Sequence, residues 1–338
     1  MKKKLCLVTF VIMLICLCLS GCVGEVAKMD STGQFYLSSE PSAEDKKEID
    51  SVVTGFIKCY EENNAKDAHA LFTEDFTGTE EDIKAFFTQI HEVCKNPFVP
   101  FDSYYIAGVN PSETAIKVKH KEEDTSYMEV VPGSDRLYYG IYVSEGEKVS
   151  YVLSLALTKE DGDWKLAWVN PGELKYNGKD ATALYEKTTE LYENGNTIGA
   201  YLYSCMLSNT FRPGSFFRYE KDTEMEDICY KLYAEVTDKF PTPLALENTT
   251  SSEVYSIRIT RDEVQGIVPL FLIHTEVSVS DDDALVAEAE KVMDALEALS
   301  PGLRSSFSHA TFSMTNQQID ENNPTPTDAK SFVMKLEA

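Results

Sequence analysis

Up to Asn96-Pro97 the apolar residues of this chain recur every three to four positions, and beyond that point they alternate. That switch constrains the fold more than any other feature. A helix buries a stripe with a period of 3.6 residues, and a half-buried strand buries every second residue. The N-terminal part is therefore a helical layer, followed by a sheet. The first helix opens at Pro41-Ser42, with Ser42 as N-cap and Asp45 three residues later in a capping-box arrangement. Ile49, Val52, Val53, Phe56, Ile57 and Tyr60 form its apolar face, and Asn63-Asn64 ends it. A short helix carrying Ala68, Leu71 and Phe72 follows. Thr79 then caps a third helix, with Ile83, Phe86, Phe87, Ile90 and Cys94 on one face.

Five strands are predicted next, near 101–109, 114–120, 137–143, 149–158 and 164–169. In the last, Trp164, Leu166 and Trp168 point one way and Lys165, Ala167 and Val169 the other. Asp161-Gly162 supplies a hairpin turn before it.

Three helices and a meandering antiparallel sheet ending in Gly162-Asp163-Trp164-Lys165-Leu166, with Asp67, Leu71, Phe72 and Phe76 after the first helix, resemble the NTF2-like cone fold over residues 42–176. In that family a curved sheet wraps the long helix around a conical pocket. The resemblance implies that Trp164, Leu166 and Trp168, with Phe56 of the first helix, line such a pocket. The family includes small-molecule enzymes, binding modules and bacterial lipoproteins, so the fold leaves function open.

Pro171-Gly172 to Gly178 reads as a loop, and a domain boundary is expected between Pro171 and Asp180. Residues 177–338 read as a second α+β domain. Helical stripes run through Leu184–Tyr192, Ile198–Cys205 and Met225–Val236, and strands through Val254–Thr260 and Ile267–Val279. Pro269 marks an edge or bulge in the second strand. Asp281 caps a helix from Leu285 to Leu299, and strands at Ser306–Met314 and Phe332–Leu336 complete the half.

The chain begins with Lys2-Lys3-Lys4 and an apolar run from Leu5 to Leu19 that closes in Leu19-Ser20-Gly21-Cys22. At about 1.5 Å per residue the run spans roughly 22 Å, short of the roughly 30 Å hydrocarbon core. Cationic start, short apolar core and small closing residues have the anatomy of an export signal. The closing residues resemble a bacterial lipobox. That resemblance implies cleavage between Gly21 and Cys22, a diacylglyceryl group on the Cys22 thiol and a palmitate-type acyl anchor. Residues 1–21 are then a leader and 22–41 a flexible tether, holding the body at the extracytoplasmic face of a cell membrane.

Composition narrows the partners. The chain carries 56 acidic and 31 basic residues, and loss of Lys2, Lys3 and Lys4 with the leader takes the formal charge from −25 to −28. Such a surface repels nucleic acid. Neither Glu122-Glu123-Asp124 nor Asp281-Asp282-Asp283 has calcium-loop spacing. Cys59, Cys94, Cys205 and Cys229 form no CxxC pair and sit in or beside apolar stripes, as free core thiols do. His69, His91, His120, His274 and His309 fall at no metal-pair spacing, and no catalytic motif is present. No metal or cofactor is therefore expected. Some enzymes of the cone fold move a proton with a buried carboxylate beside tyrosines. Tyr104, Tyr105, Tyr138, Tyr139, Tyr142 and Tyr151 could donate here, and Asp102 is the nearest carboxylate.

These readings converge on an α+β, membrane-anchored envelope lipoprotein that binds a small apolar molecule or another envelope protein. The alternatives are an isomerase or hydrolase using the pocket, and a spacer or assembly factor within an envelope complex.

Overall fold

The computed structural model describes residues 41–107, 115–119, 125–130, 134, 136–319 and 326–336. The expectations for Gly21, Cys22, the leader and nearly all of the tether lie outside these residues. The chain is a mixed α+β protein. Among the described residues, the N-terminal helices are α1 (Ala43–Glu61), α2 (Ala65–His69) and α3 (Glu80–Val93). Ser42 caps α1 by accepting from the Asp45 N–H at 3.0 Å. Thr79 caps α3 in a reciprocal box with Asp82. Each cap satisfies amide donors that a helix N-terminus leaves unpaired.

Six strands follow: β1 (Val99–Ala107), β2 (Ile116–Lys119), β3 (Ser126–Val130), β4 (Arg136–Ser144), β5 (Val149–Glu160) and β6 (Asp163–Tyr176). Four of them form an antiparallel sheet in the order β1-β4-β5-β6. Asp161 (φ 51°) and Gly162 (φ 98°) turn β5 into β6 with the two left-handed residues that a tight hairpin requires. Strand β6 does not stop at Val169. It runs through Pro171, opposite Leu153, to Tyr176. It is an edge strand, so the missing Pro171 N–H need not break a ladder.

The remaining elements are α4 (Ala181–Glu193), α5 (Thr197–Thr210), β7 (Phe217–Tyr219), α6 (Asp222–Lys239), β8 (Leu244–Ala245), β9 (Glu253–Asp262), β10 (Gly266–His274), α7 (Asp282–Leu299), α8 (Leu303–Ser306), β11 (His309–Thr315) and β12 (Lys330–Lys335). A second sheet has the order β12-β11-β10-β9-β8, and α7 is the crossover between the parallel strands β10 and β11. Pro269 sits in β10 opposite Ile259 of β9, one residue before pairing with β11 begins at Leu270. Its absent N–H thus falls where β10 is still locally an edge. Strands β2, β3 and β7 make a small third sheet.

Three cores hold these layers. Helices α1 to α3 pack on one face of the first sheet through Phe56, Phe87, Leu155, Leu157 and Leu166. The other face carries Ile141, Val152, Ala156 and Tyr176, against Leu184 of α4, Tyr203, Met206 and Leu207 of α5, and Phe217 of β7. The third core lies between α7 and the second sheet, and Ile198 and Leu202 of α5 belong to it. Helix α5 is buried nearly all round because it serves both of these cores.

The expected boundary between Pro171 and Asp180 therefore falls inside a shared core. The sheet face of one half is covered by helices of the other, and β3 pairs with β7 across the same boundary.

The even alternation expected for Trp164, Leu166 and Trp168 also fails, for a definable reason. Leu157 faces Leu166, but Ala156 faces Trp168, so Ala167 is an extra residue in a β-bulge. Trp164 and Leu166 lie in the core under α1. Trp168 is turned to the opposite face, where it packs with the α4–α5 core and its Nε1–H donates to Ser215 Oγ at 2.9 Å.

Candidate functional site

The first turn of α1 places one carboxylate against the first sheet. Asp45 is 5% exposed. Its Oδ1 accepts from Lys159 Nζ at 2.8 Å and from Trp164 Nε1 at 2.9 Å. Its Oδ2 accepts from Ser42 Oγ at 3.1 Å and from the Tyr105 hydroxyl at 3.3 Å, with an Arg136 nitrogen 3.9 Å away. The Lys159 hydrogen bond, with Trp164 next, holds this carboxyl well below the usual carboxylate range despite burial, which acts the other way. Asp45 is thus ionised, and four donors occupy its oxygens. Sequence reasoning identified it only as a capping residue. The extra signal was a carboxylate next to a helix start, on the stripe that also buries Ile49.

Asp102 holds a second carboxylate–tyrosine contact. The Tyr104 hydroxyl oxygen lies 2.6 Å from Asp102 Oδ2 and 2.7 Å from the Lys119 carbonyl, and Ser103 N–H donates to Oδ1 at 2.8 Å. Burial, then the bond to Asp102, pushes the Tyr104 hydroxyl far up. It serves as a donor and not as a base.

Neither carboxylate lines the groove that runs beside α1. That groove has a volume of about 640 Å³ and is lined by Asp50, Val53, Thr54, Ile57, Lys58 and Glu61 of α1, with Pro100 and Tyr142 opposite. The floor is apolar (Val53, Ile57, Pro100, Tyr142) and the rim polar. Tyr142 is 7% exposed, and its hydroxyl lies 3.4 Å from that of Tyr138. Burial pushes the Tyr142 hydroxyl up, and the neighbouring Tyr138 adds to the shift. Elsewhere on β1, Val99 and Phe101 are 51% and 45% exposed, and the Phe101 ring lies 6.3 Å from that of Phe217.

Phe56, Trp164 and Leu166, expected as pocket lining, are core residues at 1%, 3% and 0% exposure and do not reach the groove. Trp168 is on the other face. The stripe positions that do line it, Val53 and Ile57, are one turn apart on α1, beside Phe56.

The histidines scatter. His69 Nε2 lies 3.1 Å from the Gly78 carbonyl, His91 lies against the Tyr60 ring at 4.3 Å, and His274 ends β10. His120 lies outside the described residues. Cys59, Cys94, Cys205 and Cys229 are free thiols. Among the described residues no group of three or more His, Cys, Asp or Glu side chains is arranged to hold a metal ion, and no helix is long and apolar enough to cross a membrane. No protein-family model matches the chain, and no curated protein matches its sequence.

Proposed function

We propose that this protein is a lipid-anchored envelope protein of NTF2-like type in its first half, and that it binds an apolar ligand or an apolar segment of an envelope protein in the groove beside α1. The observation that carries the reading is the groove itself. An apolar floor of Val53, Ile57, Pro100 and Tyr142 under a polar rim is the composition of a binding cleft, and about 640 Å³ lies within the usual size range. The resemblance of residues 42–176 to the cone fold supports it, since helices on one face of an antiparallel sheet are the frame of that fold. The reading of Gly21-Cys22 as cleavage and lipidation site accounts for the export signal and for an acidic, tethered body.

Binding is favoured over catalysis by the state of the carboxylates. Asp45 and Asp102 both accept hydrogen bonds from fixed donors and stand apart from the groove, and the two carboxylates that do reach its rim, Asp50 and Glu61, are exposed to solvent rather than desolvated beside a donor.

Two measurements test the proposal. Mass spectrometry of membrane-extracted protein should find an acylated Cys22 at the N-terminus, and Cys22→Ala should release the protein from membranes. An unmodified N-terminus elsewhere ends the anchoring reading. The neutral fluorophore N-phenyl-1-naphthylamine should bind the chain from residue 22 onward carrying Cys22→Ser. Ile57→Glu should abolish that binding while circular dichroism shows the protein still folded, and equal binding by both proteins ends the groove reading.

A further inference from the structure

A second cavity, of about 370 Å³, lies at the seam between the two halves of the chain, away from the α1 groove. Its walls are pinned. Asn177, at φ 49°, closes on β10: Ile267 N–H donates to its Oδ1 at 3.2 Å, and its Nδ2 donates to the Ile267 carbonyl at 2.8 Å. The Asn177 N–H donates in turn to the Lys148 carbonyl at 2.7 Å. Gly266, at φ 79°, makes this closure possible, because a Cβ there would run into Asn177 Oδ1 and crowd the Lys148 side chain. On the opposite wall the Tyr203 hydroxyl donates to the Ser306 carbonyl at 3.2 Å, and the Tyr203 ring stacks on Phe307 at 5.0 Å and 26°. Tyr176, Met206 and Ile267, each no more than 5% exposed, contribute apolar surface.

The rim has the opposite character to the rest of the molecule. In a chain with 56 acidic and 31 basic residues, Lys148, Lys179 and His309 come together around one opening. One acid, Glu147, shares the rim and pairs with Lys148 at 3.0 Å. Lys179 makes no ion pair among the described residues. His309 holds Ser308 Oγ through Nδ1 at 3.0 Å, and its Nε2 has no partner among the described residues. Lys335 stands opposite His309 in the β11–β12 register. The overall field of so acidic a protein repels anions, so a local cationic rim is the condition for admitting one.

We propose that the seam cavity binds a small organic anion, with its apolar body against the Tyr203–Phe307 wall and its carboxylate or phosphate between Lys148, Lys179 and His309. Rigid apolar walls and a few convergent polar groups are what orient such a ligand. The site is independent of the α1 groove, and it exists only when both halves are folded together.

The test uses the chain from residue 22 onward with Cys22→Ser and the fluorescent aromatic sulfonate 8-anilinonaphthalene-1-sulfonate. Binding at one site should weaken at least tenfold in both Lys179→Glu and Lys148→Glu, and should weaken as salt is raised. Ile57→Glu should leave it unchanged, and N-phenyl-1-naphthylamine binding should be indifferent to Lys179→Glu. Displacement of the dye by hexyl phosphate assigns a soluble ligand, and displacement only by phosphatidylglycerol vesicles assigns a lipid headgroup. The proposal is overturned if both charge reversals leave dye affinity unchanged, or if Ile57→Glu, and not the lysine changes, removes the dye.

Discussion

Trp164 donates its indole N–H to Asp45 Oδ1 at 2.9 Å, a bond between residues 119 positions apart that fixes the first turn of α1 to strand β6. Lys159 of β5 shares the same oxygen, and Tyr105 of β1 reaches the other. One buried carboxylate thus ties the first turn of α1 to three strands.

Asp45→Ala should therefore destabilise the protein by about 2–3 kcal/mol, the range for losing hydrogen bonds to a charged group and leaving a buried donor unpaired. Urea unfolding of the variant checks this. The loss should be close to that of Trp164→Phe plus Asp45→Ala combined, since the two act on one contact.

The same contact makes stability depend on acid. Asp45 is held well below its ordinary value in the folded state, so the unfolded chain takes up its proton first. Its contribution is complete above about pH 5 and declines as the pH falls through about 4, the unfolded value, toward the lower folded one. The stability gap between the wild type and Asp45→Asn should be flat from pH 5 to 7 and narrow below pH 4.

Deleting Ala167 should leave the fold intact, although it shortens a strand of the first sheet by one residue. Without the extra residue Trp168 follows Leu166 directly and stays opposite Ala156, so Trp168 and the residues after it keep their faces and only the bulge is lost. Ala167→Gly, which keeps the bulge, should cost about 1 kcal/mol or less. Circular dichroism of both variants separates a length effect from a side-chain effect.

Residues 42–176 and 180–338, expressed separately, should each be molten, because Leu184, Tyr203 and Met206 of one fragment cover Ile141 and Val152 of the other. In the intact chain Leu184→Ala should cost about 2–5 kcal/mol. In a Trp168→Phe background it should lower the transition seen by Trp164 fluorescence, although Leu184 lies on the far face of that sheet.

Glu288, 1% exposed on α7, accepts from the Thr250 hydroxyl at 2.8 Å, Ser252 Oγ at 2.7 Å and Lys291 Nζ at 3.0 Å, and also from the Thr250 N–H. Burial alone would raise its carboxyl, but these bonds outweigh it and hold the group below its ordinary range. Glu288→Ala should cost about 2–3 kcal/mol and speed amide exchange at Thr250 more than at residues of α1.

Much of the helical layer is legible in the sequence. Of the α1 stripe Ile49, Val52, Val53, Phe56, Ile57 and Tyr60, four are buried and Val52 and Ile57 are half-buried; Ser42, Thr79 and Asp281 all cap their helices. What escapes is non-local. Strands β3 and β7 are short, and their pairing across about 90 residues leaves no local trace. The bulge at Ala167 escapes because Trp164, Leu166 and Trp168 fit an unbroken alternation, with neither glycine nor proline to mark the extra residue. The groove escapes because the expected pocket lining included Phe56, whereas Phe56 lies in the core and Val53 and Ile57 stand at the opening. The seam cavity needs Asn177, Tyr203 and His309 together, three residues whose proximity is fixed only by tertiary packing.

The clasp at Asp45 also has a mechanical meaning. Any pull transmitted along the chain before Ser42 arrives at the first turn of α1, where Lys159, Trp164 and Tyr105 grip one carboxylate from three strands. The load is then shared among β5, β6 and β1 at once, so the helix cannot be peeled off one hydrogen bond at a time. Rupture would require several bonds to fail together, so the first turn of α1 resists a pull on the residues before it.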